Sequence, residues 1–186
     1  MLDEKQIRKN KKEIISLLKS TERDGIENLI GWFEESDFFT APASTIFHGN
    51  FTGGLASHSY EVYKCFKRQV NYYNLNVPDN SIVISSLCHD CCKINFYIEN
   101  QLKTGNISES KPYKVQEDFP FGHGEKSAIL TQKYISLNNQ ESMLIRWHMG
   151  SEDSSWGDYK EKIEKLYPEV VVFQNVDKEV SLIKKI

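Results

Sequence analysis

Ile82-Val83-Ile84-Ser85-Ser86-Leu87-Cys88-His89-Asp90-Cys91-Cys92-Lys93 is an apolar run that ends in an imidazole, a carboxylate and, three residues on, an ammonium group. Pro78-Asp79 precedes it, the proline and acid suiting a helix start. With Ile82, Val83, Ile84, Leu87 and Cys88 the helix is apolar on most sides, and such a helix is central in a bundle. His89-Asp90 therefore falls at the C-terminal end of a central helix. Neutral imidazole and carboxylate together hold first-row divalent metals, and one Asp can bridge two ions through its two oxygens. Lys93 is placed to meet an anion drawn to such a metal. A His-Asp dipeptide recurs by chance, so the rest of the chain decides what this one means.

At 186 residues the chain fits one domain over 1–186, large enough to bury a core without metal or disulfide support. A metal site here is thus functional rather than structural. Hydrophobic residues at 39%, charged at 26% and aromatic at 12% describe a globular chain, not a disordered one. No run approaches transmembrane length, and Met1-Leu2-Asp3-Glu4-Lys5 lacks the apolar core and cleavage site of a signal peptide. The expected location is the cytoplasm, with no membrane partner. A net charge of −3 gives no general attraction for a polyanion, which disfavours long nucleic acid. Of Cys65, Cys88, Cys91 and Cys92, three crowd round His89. Without a secretory signal they do not form a disulfide framework, and no partners stand at finger-like spacing, so they read as small buried apolar residues.

Around the central run the pattern is helical. Residues 3–20 alternate charge with Ile7, Ile14, Ile15, Leu17 and Leu18, and residues 25–35 carry Ile26, Leu29, Ile30, Trp32 and Phe33; both are amphipathic scaffold. A glycine-rich loop over 41–55 includes Gly49, Gly53 and Gly54, with Ser57 as cap of a helix from about His58 to Val70. Residues 96–122 are the least helical, and Thr104-Gly105-Asn106 and Lys111-Pro112 predict a hairpin or ordered insertion at the mouth of the bundle. Helix resumes at Gly122-His123-Gly124-Glu125 and runs through Tyr134, and Asn138 with Glu141 has capping-box spacing for a helix to His148, ended by Gly150. The last helices span about 158–166 and 168–185. In the final one Phe173, Val176, Asp177 and Val180 share a face, so Asp177 points inward, where a carboxylate needs a cation or several donors. The expected architecture is an all-α bundle with a core of about 45–180 and N-terminal helices, within 1–40, packed on it.

The five histidines, His48, His58, His89, His123 and His148, each fall at or beside a helix end or in the glycine loop. One end of a bundle can gather them, together with Asp177. His58, then His89-Asp90, then Asp177 on a late helix resembles the ordered pattern of the HD-domain metal-dependent phosphohydrolases. His48-x4-Gly53-Gly54-Leu55-x2-His58 is similar to the His-rich Gly-Gly-Leu segment in the HD domain of Gram-positive 3′-to-5′ exoribonucleases and of relaxase-associated HD proteins. His123 and His148 fall where the two-metal subgroup, which includes the HD-GYP phosphodiesterases, has two additional histidines. Phe121-Gly122-His123-Gly124-Glu125 and Ile145-Arg146-Trp147-His148-Met149-Gly150 resemble small stand-alone HD proteins of phages and prophages, which would act in the host cytoplasm.

The departures narrow what is implied. No Gly-Tyr-Pro triplet accompanies His123, so cyclic di-GMP is not implied. The exoribonucleases carry a further nucleic-acid-binding domain that does not fit within these residues, which counts against long RNA. The HD 5′-deoxynucleotidases place a Glu shortly after His-Asp, where Cys91, Cys92 and Lys93 stand here, and Lys93 matches the His-Asp-x-x-Lys form of the two-metal group.

The resemblance implies a divalent cofactor, one or two ions of Mn, Fe, Co, Ni, Zn or Mg. It places His58, His89, Asp90 and Asp177 on one ion and His123 and His148 on a second, with Asp90 bridging. Catalytic roles then fall to His89, Asp90 and Lys93, the last neutralising charge on the phosphoryl oxygens. His48 orients the ligands or touches the leaving group, and Arg146 and Lys126 are candidates for further phosphates. The implied reaction is phosphoester hydrolysis in a small phosphorylated substrate, a nucleotide or short oligonucleotide. Cyclic-nucleotide phosphodiesterase or short-strand 3′ exonuclease activity is the alternative within enzymes, and a non-catalytic nucleotide-binding module the alternative outside them.

Overall fold

The computed structural model describes residues 3–186. It begins with α1 (Glu4–Ser20), where the Asp3 side chain accepts a hydrogen bond from the Gln6 amide at 2.7 Å, satisfying an N–H that the helix itself leaves open. Ile14 and Leu18 form its buried stripe, and α2 (Ile26–Glu35) buries Leu29, Ile30 and Phe33 beside it. The glycine loop then delivers the chain to α3 (Gly54–Tyr73). This helix starts earlier than expected: Gly53, at φ 82°, makes the turn, and Ser57 lies within the helix. The Ser57 hydroxyl accepts from Asn10 at 2.7 Å instead of capping, so it ties α3 to α1.

The predicted central helix is α4 (Asp79–Cys88), in which every residue from Ser81 to Cys88 is buried. It has no solvated face because it separates two apolar clusters. On one side lie Ile14, Leu18, Leu29 and Phe33 with Val83, Ile84 and Leu87; on the other, Val62, Phe66, Leu144, Phe173 and Val176 with Ile82. A single 3-10 turn, Cys91–Lys93, follows it. The insertion is a short hairpin, β1 (Tyr97–Glu99) antiparallel to β2 (Tyr113–Val115), with Tyr97 opposite Val115.

Next come α5 (His123–Thr131) and α6 (Asn139–Trp147). The first stops short of Tyr134, its chain closing in turns. The capping box forms as the spacing predicts: Asn138 accepts from the Glu141 amide at 2.8 Å and Glu141 from the Asn138 amide at 3.0 Å. Glu141 is fully buried, and Arg23 and Ser81 also donate to it, at 2.5 Å and 2.8 Å. Such a buried carboxylate persists only when paired and hydrogen-bonded, and here the pairing anchors α6 against α4. A 3-10 turn at Gly150–Glu152, α7 (Trp156–Leu166), α8 (Glu169–Lys178) and a π-helical turn (Glu179–Lys184) complete the chain. The single last helix expected over 168–185 is thus divided at Glu179. Gln174 on α8 donates to the Trp147 carbonyl at 2.8 Å, which locks α8 to the end of α6. The protein is an all-α bundle with a two-stranded hairpin, and among the described residues no helix is long and apolar enough to cross a membrane.

Gly124 sits where α5 meets the end of α6, and a Cβ there would lie 2.0 Å from the Arg146 carbonyl oxygen. Gly124→Ala must push the two backbones apart, and overpacking of this kind costs about 1–3 kcal/mol. The expected result is a lower urea midpoint with an unchanged m-value, together with weaker metal binding, because His123 and His148 flank the contact.

Candidate metal centre

The ends of these helices converge on Asp90. His58 comes from the second turn of α3, His89 and Asp90 from the end of α4, His148 from the end of α6, His123 from the start of α5 and Asp177 from α8. Three of the rings are held from behind by main-chain carbonyls: His58 Nδ1 lies 2.9 Å from the Ile186 oxygen, His89 Nδ1 2.9 Å from Ser86, and His148 Nδ1 2.8 Å from Ile145. A carbonyl only accepts, so each Nδ1 carries a proton, and in the neutral ring Nε2 turns a lone pair inward.

Those lone pairs face one another. His58 Nε2 is 3.2 Å from His89 Nε2, 3.0 Å from Asp177 Oδ1 and 3.6 Å from Asp90 Oδ2. His89 Nε2 is 3.5 Å from Asp90 Oδ2 and 3.8 Å from Asp177 Oδ1. Two imidazoles and two carboxylates thus meet as acceptors, a buried arrangement that calls for positive charge at its centre. Donors at about 2.1 Å from a common ion stand about 3.0 Å apart at right angles and about 3.4 Å apart in a tetrahedron; the His58–Asp177 and His58–His89 separations fall in that range, and the others, at 3.5–3.8 Å, are a few tenths of an ångström wider. His58, His89 and Asp90 can hold a divalent ion, with Asp177 the fourth donor facing it. The mixture of imidazole and carboxylate suits several first-row metals.

The other oxygen of Asp90 looks the opposite way. His148 Nε2 is 3.6 Å from Asp90 Oδ1, beyond hydrogen-bond distance, and is buried with no partner. His123 stands beside it, half-buried, with Nδ1 3.0 Å from Cys92 Sγ. Asp90 thus has Oδ2 near His58 and His89 and Oδ1 near His148.

Charge and burial tune the neighbours. Burial lowers His89 to about 4 despite the nearby Asp90, so its ring is neutral near pH 7. Burial works to raise Asp90, but Lys93 and His89 outweigh it and hold the carboxyl well below its usual range. Lys93 Nζ is 2.7 Å from Asp90 Oδ2, and this carboxylate overcomes burial to keep the ammonium charged. Burial and the adjacent His58 lower His48 to about 4, while burial lifts the Tyr97 phenol and the Cys92 thiol each to about 12.

A cavity of about 440 Å³ opens over this cluster, walled by Asp90, Asp177, Lys93, His48 and His123. No protein-family model, curated protein or solved structure matches the chain. What the site can do is therefore read from its own geometry.

The six candidate ligands and His48 and Lys93 come together as one cluster, but the two other basic candidates do not join them. Arg146 donates to Asp153 at 2.6 Å, pairs with Glu125 at 2.6 Å, and lies on the Trp147 ring at 3.9 Å. Lys126 is buried against Glu117 at 2.7 Å and Phe96 at 4.9 Å. Neither is on the cavity wall: Arg146, two residues before His148, is on another side of its helix, and Lys126, one turn on from His123, is held by Glu117 and Phe96. In their place the wall has Tyr97 and Lys178. Lys178 follows Asp177 directly and Tyr97 opens the hairpin, so adjacency was a signal for the first, whereas only the fold brings the second home.

Proposed function

We propose that this protein is an HD-type divalent-metal phosphohydrolase that cleaves a phosphoester bond in a nucleotide or short oligonucleotide. The observation that carries the reading is the convergence of His58, His89, Asp90 and Asp177 as acceptors around one point, with Lys93 bonded to the shared Asp90. A divalent ion in that position supplies electrostatic stabilisation of phosphoryl oxygens and makes a bound water more acidic. The chain supports this chemistry in other ways. Lys93 stands both on Asp90 and on the cavity wall, so its ammonium is placed to take part of the charge of an entering phosphoryl group. His48, neutral near pH 7, has its Nε2 3.4 Å from Ser181 Oγ at the wall, where it can exchange hydrogen bonds with substrate. Tyr97 retains its phenolic proton and is a donor.

A cavity of about 440 Å³ is in the range of small-molecule sites, which favours a nucleotide-sized anion over a polymer. The test is elemental analysis of freshly purified protein, then phosphate release from nucleotides and bis-p-nitrophenyl-phosphate cleavage with added Mn²⁺. Lys93→Met is expected to lower kcat by about 10²–10³, the usual effect of removing one charge-stabilising donor. Release from mononucleotides without diester cleavage would make the enzyme a nucleotidase, and diester cleavage a phosphodiesterase. Metal-loaded protein that turns over neither, yet binds nucleotide, would replace catalysis by a sensing role.

A further inference from the structure

Resting on the reading of Asp90 as a metal-bridging carboxylate, we propose that the second metal position contains a thiolate, Cys92, alongside His123, His148 and Asp90. Neither the sequence pattern nor the family resemblance assigns a cysteine there. The three neighbouring cysteines of this segment differ in surroundings. Cys88 and Cys91 belong to the apolar cluster shared with α1 and α2, whereas Cys92 does not. The 3-10 turn sends Cys91 into that core and Cys92 towards α5, where its amide donates to Ser127 Oγ at 3.0 Å and its sulfur meets His123 Nδ1 at 3.0 Å.

One donor atom each from Asp90, Cys92 and His123 lie within 4.8 Å of one another. A sulfur at about 2.3 Å and a nitrogen at about 2.0 Å from one ion stand about 3 Å apart at right angles, which matches the Cys92–His123 separation. The independent pointer is His148, whose buried Nε2 has no partner and faces Asp90 Oδ1 at 3.6 Å. His148 lies outside the 4.8 Å group of Asp90, Cys92 and His123, but it presents an unpartnered nitrogen to the same carboxylate.

On binding, the divalent ion takes the Cys92 sulfur as ligand and the thiol proton leaves to solvent. Sulfur also divides the labour between the two positions. The His/Asp position accepts many divalent ions, while the one with sulfur prefers Zn²⁺, Fe²⁺ or Co²⁺ to Mg²⁺.

Cobalt titration of the metal-free full-length protein tests this directly. The first equivalent should give only weak visible d–d bands, and the second an intense near-ultraviolet sulfur-to-cobalt charge-transfer band. In Cys92→Ser that band should vanish and the second equivalent weaken by more than about tenfold, with the first set of bands retained as a check of folding. Cys91→Ala should keep the band. X-ray absorption of the cobalt-loaded wild type should show a sulfur scatterer at about 2.3 Å, a readout that needs no variant. Two equivalents bound with neither band nor sulfur scatterer would overturn the thiolate and leave Cys92 as the hydrogen-bond partner of His123, with the hydrolase reading intact. A band that survives in Cys92→Ser would likewise overturn it. Failure to bind any cobalt would overturn both proposals.

Discussion

Asp90→Ala is expected to empty both metal positions, remove phosphoester hydrolysis, and destabilise the protein by about 3–5 kcal/mol, the usual result of stranding one member of a buried ion pair. The stranded member is Lys93, whose ammonium is 2.7 Å from Asp90 Oδ2 with both side chains nearly out of solvent. That cost leaves a native state in a domain of ordinary stability, so the helical circular dichroism should persist at low temperature. Removing both charges should be milder. Asp90→Ala combined with Lys93→Met should recover most of the lost stability while recovering no metal and no activity. Urea unfolding of the four proteins closes the cycle. Two independent penalties that simply add would show that Lys93 finds another partner, and would weaken its assignment as the group that meets the phosphoryl charge.

Adding Mn²⁺ or Zn²⁺ to metal-free protein should raise the melting temperature by about 8–16 °C when free metal is a thousandfold above Kd. The size follows from linkage: binding only to the native state contributes about 4 kcal/mol at that ratio, and a domain of this length shifts by about 2–4 °C per kcal/mol. The metal-free cluster, which opposes two imidazole lone pairs and two carboxylates, favours a low Kd and does not enlarge the shift at that ratio. Asp177→Asn should cut the shift to a small fraction, since it removes the donor 3.0 Å from His58. Thermal scans with and without a chelator decide it. An equal shift in Asp177→Asn would mean that metal binds elsewhere on the surface.

The parts of this protein legible in its sequence are those governed by local rules. Residues 79–88 are apolar on most sides, and every residue from Ser81 to Cys88 is buried. The capping box at Asn138 and Glu141, the hairpin within 96–122 and the inward turn of Asp177 follow from spacing in the same way. What spacing does not carry is the direction of a side chain relative to distant elements. Arg146 and Lys126 looked like phosphate ligands by proximity in sequence, yet Asp153, Glu125 and Glu117 take up their charges. Cys92 looked like its two core neighbours, and only the 3-10 turn separates it from them. Ser57 looked like a cap because glycine conformations at residue 53 are not visible in a string of letters.

The donors of the first position are spread along the sequence: His58, His89 and Asp90 precede the hairpin, and Asp177 is on α8. A polypeptide emerging from the ribosome completes the first three long before the fourth, and their rings gain fixed directions only when their carbonyl partners are in place. For His58 that partner is the oxygen of Ile186. A complete donor set at this position therefore depends on the docking of α8. Chains held short of that helix should release metal readily.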